Sequence, residues 1–247
     1  MNKLKILTLN IWRYFEWERR KALVIEFIQK QNPDIVFLQE AAYDERFKDK
    51  WKNQVDELNS ELKYLDFKFS KLQDMTKWNG KPINWKMHYG LGILSKYPIK
   101  HSELIILPHV KTEKNFGFLH ILLETPQEDI HLIDVHFENN NEGSREHIKY
   151  TLEWCRKKGI TPIIAGDFNS IIIKNVLDSA DEEYFISYKI KEYNSFPPTP
   201  FSYNKVPVTL DYILAHKKAF KMKKVKCFED SKVSDHRPVI AELEVIK

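Results

Sequence analysis

The stretch Pro162-Ile163-Ile164-Ala165-Gly166-Asp167-Phe168-Asn169 decides the fold of this chain. Its first half is an apolar run typical of a buried strand, and its second half places an acid and a carboxamide where that strand ends. Polar side chains at strand ends face a cleft that a rigid sheet holds in place. An acid and an amide in such a place supply oxygen atoms that suit a hard divalent cation.

A second polar cluster, Ser234-Asp235-His236, lies just before the apolar run Pro238-Val239-Ile240-Ala241. Further acids, amides and histidines flank other apolar runs of the chain. They are Asn10 after residues 4–9, Glu40 after 35–38, His136 after 132–135 and Asp211 before 212–214. Strand ends of one sheet lie close together, so these side chains are expected to form one site.

Each of these residues has an ordinary structural explanation when it is taken alone. An Asn at a strand end is often a turn residue, and an isolated pair such as Asp235-His236 is more often a surface ion pair than a catalytic pair. Glu40 is less ordinary, because an acid that ends a buried strand needs a partner. The recurrence of such groups at strand ends along the whole chain favours a functional site.

The donor atoms of this set are mostly oxygens, which favour Mg²⁺ or Mn²⁺ as the cofactor. Zinc is disfavoured because few histidines cluster in the sequence and Cys155 and Cys227 are the only cysteines. Two cysteines also make no disulfide framework, so two free core thiols are expected.

Strand and helix signals alternate along the chain. Apolar periodicity predicts helices over 17–30, 47–62, 144–158 and 171–180, and Ser144 is the expected N-cap of the third, with Gly159 just past its end. Residues 71–88 are expected to form a loop or flap. About ten or more strands, many of them antiparallel, predict an α/β (α+β) fold of two packed sheets flanked by helices, in a single domain over 1–247.

Bulk composition is that of an ordinary globular enzyme, with 43% hydrophobic and 30% charged residues. The net charge of +4 permits an anionic substrate without identifying one. The N-terminus has no apolar stretch of signal-peptide length, and no window approaches the ~18 apolar residues of a membrane span. We therefore expect a soluble, cytoplasmic protein without stable membrane insertion.

Seven short motifs together resemble the endonuclease/exonuclease/phosphatase superfamily. They are Leu7-Thr8-Leu9-Asn10, Leu38-Gln39-Glu40, Gly92-Ile93-Leu94-Ser95, Val135-His136, Gly166-Asp167-Phe168-Asn169, Leu210-Asp211-Tyr212-Ile213 and Ser234-Asp235-His236-Arg237-Pro238. The resemblance implies a four-layer sandwich of two mainly antiparallel sheets flanked by helices. It also implies an Mg²⁺- or Mn²⁺-dependent hydrolase of phosphate esters.

The resemblance further implies a cation site. Glu40 would hold the metal, with Asn10 and Asp235 close to it. Asp167 would position or deprotonate the attacking water, and Asn169 would hydrogen-bond a phosphate oxygen.

The same resemblance assigns roles to two histidines. His236 would contact the phosphate or act as the base, with its ring oriented by Asp211, and His136 would contact a phosphate oxygen or protonate the leaving group. The choice of base between the histidine pair and Asp167 stays open. A histidine at 136, rather than the tyrosine of exonuclease III types, places the chain nearer the deoxyribonuclease and sphingomyelinase branches. The acid that supports the first histidine in the deoxyribonuclease branch is missing before Gly90.

Aromatic and basic residues bear on the substrate. The 71–88 segment carries Trp78 and Trp85 together with Lys77, Lys81 and Lys86. Trp12, Tyr14 and Trp17 add aromatics near Asn10, and residues 217–224 are rich in lysine. Aromatics with cations suit nucleic acid, although core packing and a solvated face explain the same residues. Nucleic acid is therefore the expected partner. The alternatives are a sphingomyelinase-like or small-molecule phosphodiesterase or phosphatase, and a non-catalytic binding module.

Overall fold

Fourteen strands and five α-helices follow one another in the computed structural model, which describes residues 3–47, 53–78, 80–199, 205–229 and 232–246. The strands are β1 (Lys3–Asn10), β2 (Ile35–Asp44), β3 (Asp66–Asp74), β4 (Lys77–Trp78), β5 (Lys81–Pro82), β6 (Met87–Ser95), β7 (Ile99–Ile106), β8 (Gly117–Glu124), β9 (Asp129–His136), β10 (Ile163–Asp167), β11 (Tyr184–Ile186), β12 (Asp211–His216), β13 (Phe220–Cys227) and β14 (Val239–Val245). The helices are α1 (Trp17–Gln31), α2 (Gln54–Leu62), α3 (Asn141–Lys158), α4 (Ile173–Ala180) and α5 (Ser187–Ile190).

Twelve of these strands form two six-stranded sheets. The first sheet has the order β13-β14-β1-β2-β6-β3, and the second has the order β11-β12-β10-β9-β8-β7. Each sheet contains one parallel pair, β1 with β2 in the first and β9 with β10 in the second, and all its other pairs are antiparallel. The predicted pair of mainly antiparallel sheets is confirmed.

Three apolar clusters hold the layers together. Side chains of both sheets meet in the first cluster, where Phe37 and Ile93 of the first sheet join Leu132 of the second. The second cluster packs α1 and α2 on the outer face of the first sheet, and the third packs α3 and α4 on the outer face of the second. Since alternate residues of a strand face opposite sides, strands buried on both faces read as continuous apolar runs. The predicted four-layer sandwich is confirmed.

Two helix predictions need correction. Helix α3 begins at Asn141 rather than Ser144, because the side chain of Asn140 caps it by accepting a hydrogen bond from the Gly143 backbone N–H at 2.7 Å. Ser144 is instead a buried residue inside the helix. Gly159 ends the helix with φ +65°, as predicted. Helix α2 starts only at Gln54, capped by Asn53, and residues 48–52 of the predicted 47–62 helix lie outside the described residues.

The prediction of a loop over 71–88 is also wrong in part. Strand β3 continues to Asp74 and pairs with β6 as far as His88. Strands β4 and β5 then form a small hairpin. Backbone pairing with β6 explains why this polar segment is extended, since an edge strand needs one buried face at most.

Other expectations concern the cysteines and the membrane. Cys155 and Cys227 are both buried free thiols, as predicted. Among the described residues no helix combines the length and the apolar character that crossing a bilayer requires.

Candidate active site

Strand register places three predicted site residues side by side. Asp167 at the end of β10 lies opposite His136 on the parallel strand β9 and opposite Asp211 on the antiparallel strand β12. In the other sheet, Asn10 ends β1 opposite Gln39 on the parallel strand β2. The carboxyl ends of both parallel pairs therefore border one cleft of about 870 Å³, whose lining includes Asn10, Glu40, His136, Asp167, Asn169, Asp235 and His236.

The turn that follows β10 depends on Gly166. Its φ is +143°, and a Cβ atom there would lie 2.2 Å from the carbonyl oxygen of Val135 on the neighbouring strand. Only glycine fits this close approach. Past the turn, the Asn169 backbone N–H donates to Oδ1 of Asp167 at 2.9 Å, and its side-chain amide donates to the Phe137 carbonyl at 2.9 Å. These contacts hold the Asp167 carboxylate in one orientation.

Three side chains converge on Oδ2 of Asp167. The Asn10 side-chain amide donates to this oxygen at 3.1 Å, and Nε2 of His136 and Nε2 of His236 each lie 3.8 Å from it. The Asp167 side chain is 2% exposed, and burial raises its pKa to about 7, opposed by His236 and assisted by the charge of Asp211. Oδ2 of Asp167 thus faces both histidines, and neither imidazole nitrogen is within hydrogen-bond distance of it.

Asp211 holds the His236 ring from behind. Its Oδ2 lies 2.8 Å from Nδ1 of His236, and both residues are buried. Burial alone would lower the pKa of His236, but the charges of Asp211 and Asp167 hold it well above the ordinary value. The imidazole is therefore protonated, and its Nε2–H points toward the cleft.

His136 has the opposite protonation. Burial lowers its pKa to about 4, and its ring is packed edge-on against Phe116, with 5.5 Å between ring centres. No described residue hydrogen-bonds to its buried Nδ1. The supporting acid that the sequence lacks before Gly90 is therefore not replaced by another described side chain.

Glu40 reaches the cleft from a bulge rather than from a strand end. Strand β2 continues to Asp44, and its pairing with β6 shifts between Leu38 and Ala41. Glu40 lies in that irregularity with φ +52°, and a bulge re-aims a side chain in this way. Its Oε2 lies 2.7 Å from Nε of Arg13. Burial opposes ionisation of Glu40, but the guanidinium of Arg13, with a smaller contribution from His236, holds its pKa below the ordinary value.

Asn10 and Asp235 complete a set of oxygen donors. Oδ1 of Asn10 accepts a hydrogen bond from the Trp12 backbone N–H at 3.0 Å and keeps a second lone pair. Burial raises the pKa of Asp235, and the negative charge of Glu40 raises it further. Carboxylates that repel one another and an amide oxygen suit a hard divalent cation. Asn10, Glu40 and Asp235 could hold such an ion.

A second set of donors lies in the same site. One ligand atom each of Asp167, Asp211 and His236 falls within 4.8 Å of the others. Asp211 and His236 are already hydrogen-bonded to each other, however, and this contact favours a role in proton transfer over metal binding for this set. The cation therefore fits better at the oxygens of Glu40 and Asp235.

Sequence reasoning missed several residues of the cleft. Arg13 and Lys114 supply cations, and Tyr89, Phe116 and Phe196 supply aromatic faces. Of these residues only Arg13 carries a sequence signal, since it follows Asn10 by three residues. Lys77, one of the lysines of 71–88 expected to contact substrate, also lines the cleft. Of the aromatics expected near the cleft, Trp12 lines it, whereas Tyr14 and Trp17 are buried in the cluster beneath α1.

Other expected nucleic-acid contacts lie elsewhere. Trp85 packs against the guanidinium of Arg46, 4.2 Å from its ring centre. The exposed lysines of β13 pair with acids of β14, as Lys224 does with Glu242 at 3.7 Å. Lysine on an edge strand also discourages pairing with other chains. The solvated-face interpretation fits this stretch better than substrate binding.

Comparisons with known proteins agree with this architecture. A sequence profile of the endonuclease/exonuclease/phosphatase family matches residues 7–236. Among proteins with curated annotation, none matches the sequence significantly.

Solved structures share the fold at low sequence identity. An endonuclease/exonuclease/phosphatase from Beutenbergia cavernae DSM 12333 superposes with a TM-score of 0.79 at 17% identity, over 99% of this chain and 72% of that one. The human Nocturnin catalytic domain with bound sulfate anion has a TM-score of 0.73 at 19% identity, over 99% and 95%. Sphingomyelinase C from Streptomyces griseocarneus has a TM-score of 0.67 at 19% identity, over 98% and 99%.

The profile match spans Asp167, His136 and His236, and the solved structures share the fold over nearly the whole chain. The chain therefore belongs to the endonuclease/exonuclease/phosphatase family and has its phosphoesterase fold.

Proposed function

We propose that this protein is a divalent-metal-dependent phosphodiesterase that hydrolyses nucleic acid. The observation that carries the proposal is the convergence of Asn10, His136 and His236 on Oδ2 of Asp167. A buried carboxylate between a neutral and a protonated imidazole is equipped to orient water and to stabilise charge on a phosphate.

Mg²⁺ or Mn²⁺ is the cofactor that fits the donor set. Glu40 and Asp235 would hold it, with the Oδ1 lone pair of Asn10 close by. Bound there, the ion would polarise a phosphoryl oxygen and neutralise developing charge. The raised pKa of Asp235, caused by burial and by Glu40, supports a cation at this place, since a positive ion relieves the repulsion between the two acids.

Asp167 is the group we assign to the attacking water. Its pKa of about 7 matches the value that suits a general base at neutral pH. The Asn10 amide and the Asn169 backbone N–H hold its two oxygens in place. A water next to Oδ2 would be oriented for attack and would lose its proton to this carboxylate.

The two histidines have different roles at the phosphate in this proposal. His236, protonated through Asp211, would donate from Nε2 to a phosphate oxygen. His136, neutral and buried, would contact another phosphate oxygen or the leaving group. Asn169 keeps one side-chain N–H beyond the one given to Phe137 and would bind a phosphate oxygen with it. Charge would thus be stabilised on several sides of the phosphorus.

The lining of the cleft supports nucleic acid as the substrate. Lys77, Lys114 and Arg13 all line the cleft, and Trp12, Phe116 and Phe196 offer aromatic faces within it. Cations that follow a phosphate backbone and rings that stack on bases are the common features of single-strand binding. A small phosphate ester would need neither.

One observation favours a second candidate, a phospholipid head-group phosphodiester. Ile171, which lines the cleft, is 59% exposed, and the neighbouring Ile172 is 44% exposed. Two exposed isoleucines beside Asn169 form an apolar rim that could rest on lipid. In this case the same catalytic groups would act on a different diester.

A paired turnover assay separates these proposals. Wild type and His236→Ala are compared on single-stranded DNA, plasmid DNA, RNA, sphingomyelin vesicles and bis-nitrophenyl phosphate, with Mg²⁺, Mn²⁺ or EDTA. His216→Ala is the matched control, because His216 is also buried but ends β12, whereas Asp211 begins it. We expect chelator-sensitive cleavage of nucleic acid that survives in the control and is lost in His236→Ala. Cleavage of sphingomyelin alone would select the second candidate, and no turnover at all would contradict both.

A further inference from the structure

A second group of metal-ligand side chains lies outside the cleft, on the second sheet. His101 and Glu103 come from the edge strand β7, and His120 comes from its neighbour β8. One ligand atom of each residue lies within 4.8 Å of the others. The register explains the cluster: Glu103 lies directly opposite His120, and His101 lies opposite Leu122, so all three side chains share one face. Strand pairing thus gathers histidines that are far apart in the sequence.

This face is the outer one, away from the catalytic cleft. His120 alternates with Leu119 and Ile121, which point into the core between the sheets. Its ring instead packs edge-on against Trp154 of α3, with 5.2 Å between ring centres. Along β9, His131 beside the cluster is five residues from His136, a distance of roughly 17 Å. The cluster is therefore separate from Asp167 and its neighbours.

The state of His120 is unusual for a buried imidazole. The residue is 7% exposed, and its Nδ1 has no hydrogen-bond partner among the described residues. Its Nε2 lies 2.9 Å from Nδ1 of His131. When Nε2 carries the hydrogen of this contact, Nδ1 carries a bare lone pair.

We propose that His101, Glu103 and His120 form a binding site for a transition metal ion of the zinc type. Two imidazole nitrogens and one carboxylate oxygen are the ligands that Zn²⁺ takes when it keeps a position for water. Hard ions such as Mg²⁺ are disfavoured by the nitrogen donors. His131 acts as a positioning residue, since a metal-bound histidine usually donates its second ring N–H to a partner that fixes the tautomer.

The two other ligands are free to complete the site. The side chains of His101 and Glu103 are exposed and form no hydrogen bond or ion pair with any other described residue. Zinc ligands lie about 2.0–2.3 Å from the ion, so the three ligand atoms must approach one another by roughly 1 to 2 Å. The exposed side chains of His101 and Glu103 can make this movement. A bound ion would link the edge strand β7 to β8. We therefore expect metal binding to stabilise the protein without changing its catalytic rate.

Zinc titration of the full chain by calorimetry tests this site. The Glu40→Gln variant is used throughout, because the catalytic oxygens offer a second place for a cation. In that background we compare His101→Ala, Glu103→Gln and the control His109→Ala, an exposed histidine whose side chain hydrogen-bonds to Asn115. The two ligand variants are exposed positions, so a folding defect is not expected.

The expected result is one Zn²⁺ bound per chain, with a Zn²⁺-dependent rise in melting temperature, in the background and in the control. Both ligand variants should lose the melting shift and bind at least tenfold more weakly, and His131→Gln should bind about 10–100-fold more weakly. Co²⁺ in place of Zn²⁺ should give visible absorption bands of a tetrahedral ion that disappear in His101→Ala. Absence of Zn²⁺ binding in the background, or binding that His101→Ala leaves unchanged, would overturn the proposal.

Discussion

Oδ2 of Asp211 lies 2.8 Å from Nδ1 of His236, and this contact decides which edge of the imidazole faces the cleft. Because Asp211 begins β12 directly opposite Asp167 on β10, both acids flank the ring and hold it protonated. A carboxylate that fixes the tautomer of a catalytic histidine contributes through orientation rather than through direct chemistry. Ring orientation is therefore the first feature to test.

Asp211→Asn should lower kcat by about 10²–10⁴-fold while KM changes little, since an amide can turn its N–H toward the ring and favour the wrong tautomer. Steady-state kinetics on the best substrate of the assay above provide the measurement. Asp178→Asn on the exposed surface of α4 is the control and should retain wild-type kcat. A normal kcat in Asp211→Asn would remove Asp211 from the proposed machinery.

The guanidinium of Arg13 lies beside the Glu40 carboxylate. It supplies the positive charge that a bound cation would otherwise provide there. Arg13→Ala should lower the free energy of unfolding in EDTA by about 1–3 kcal/mol, because the carboxylate of Glu40 loses its partner. Saturating Mg²⁺ should restore most of this loss by supplying another positive charge to the same oxygens.

Urea unfolding with EDTA and with Mg²⁺ measures this effect. Arg19→Ala is the matched control, since Arg19 of α1 pairs with the exposed Glu16 just before the helix and such pairs contribute little. If Mg²⁺ stabilises wild type and Arg13→Ala by the same amount, the cation does not share Glu40 with Arg13.

Gly166 should tolerate no side chain. In Gly166→Ala the new Cβ would meet the Val135 carbonyl at 2.2 Å, so we expect a loss of roughly 1–3 kcal/mol in stability and a fall in kcat as Asp167 shifts. Gly159→Ala separates conformational strain from this clash, because Gly159 has φ +65° with nothing within 4 Å of its Cβ position. Thermal unfolding of both variants is the measurement, and equal losses would mean that the Val135 contact is unimportant.

The site could be predicted from the sequence where strand ends carry the chemistry. Asn10, His136 and Asp167 each end a strand, so the recurrence of an apolar run followed by a polar residue indicates their positions. Glu40 shows the limit of this rule, because its strand continues past it through a bulge that the apolar pattern does not reveal. Asp235 and His236 follow from the opposite end of a strand, since they precede the apolar run that forms β14, and both line the cleft.

Residues that act through tertiary contacts gave weaker signals. Phe116 and Lys114 reach the cleft from a loop between β7 and β8, and no local pattern marks them. The cap at Asn140 was missed because Ser144 is an equally good capping residue, and only the fold places Ser144 in the interior. The pairing of β7 with β8 likewise brings His101 to His120, which no sequence spacing indicates.

A buried acid between the sheets gives stability a dependence on pH. Asp134 on β9 is fully buried, and the Gln39 side-chain amide donates to its Oδ1 at 2.5 Å. Burial raises its pKa well above the ordinary value near 3.8. The folded carboxyl therefore keeps its proton at pH values where the unfolded one has lost it. Stability from this group is fully present below about pH 3.8 and is lost as pH rises toward and through the raised pKa.

Asp134→Asn should remove this loss of stability at higher pH, because the amide stays neutral and its oxygen still accepts a hydrogen bond from Gln39. We expect the variant to be at least as stable as wild type at pH 8 and to have a flatter dependence of unfolding free energy on pH. Urea unfolding in EDTA from pH 4.5 to 8 measures it, with the exposed Asp178→Asn as the control that keeps the wild-type slope. Parallel curves for Asp134→Asn and wild type would mean that the Asp134 carboxyl is ionised in the folded protein. In that case Gln39 and the surrounding backbone must stabilise a buried negative charge between the two sheets.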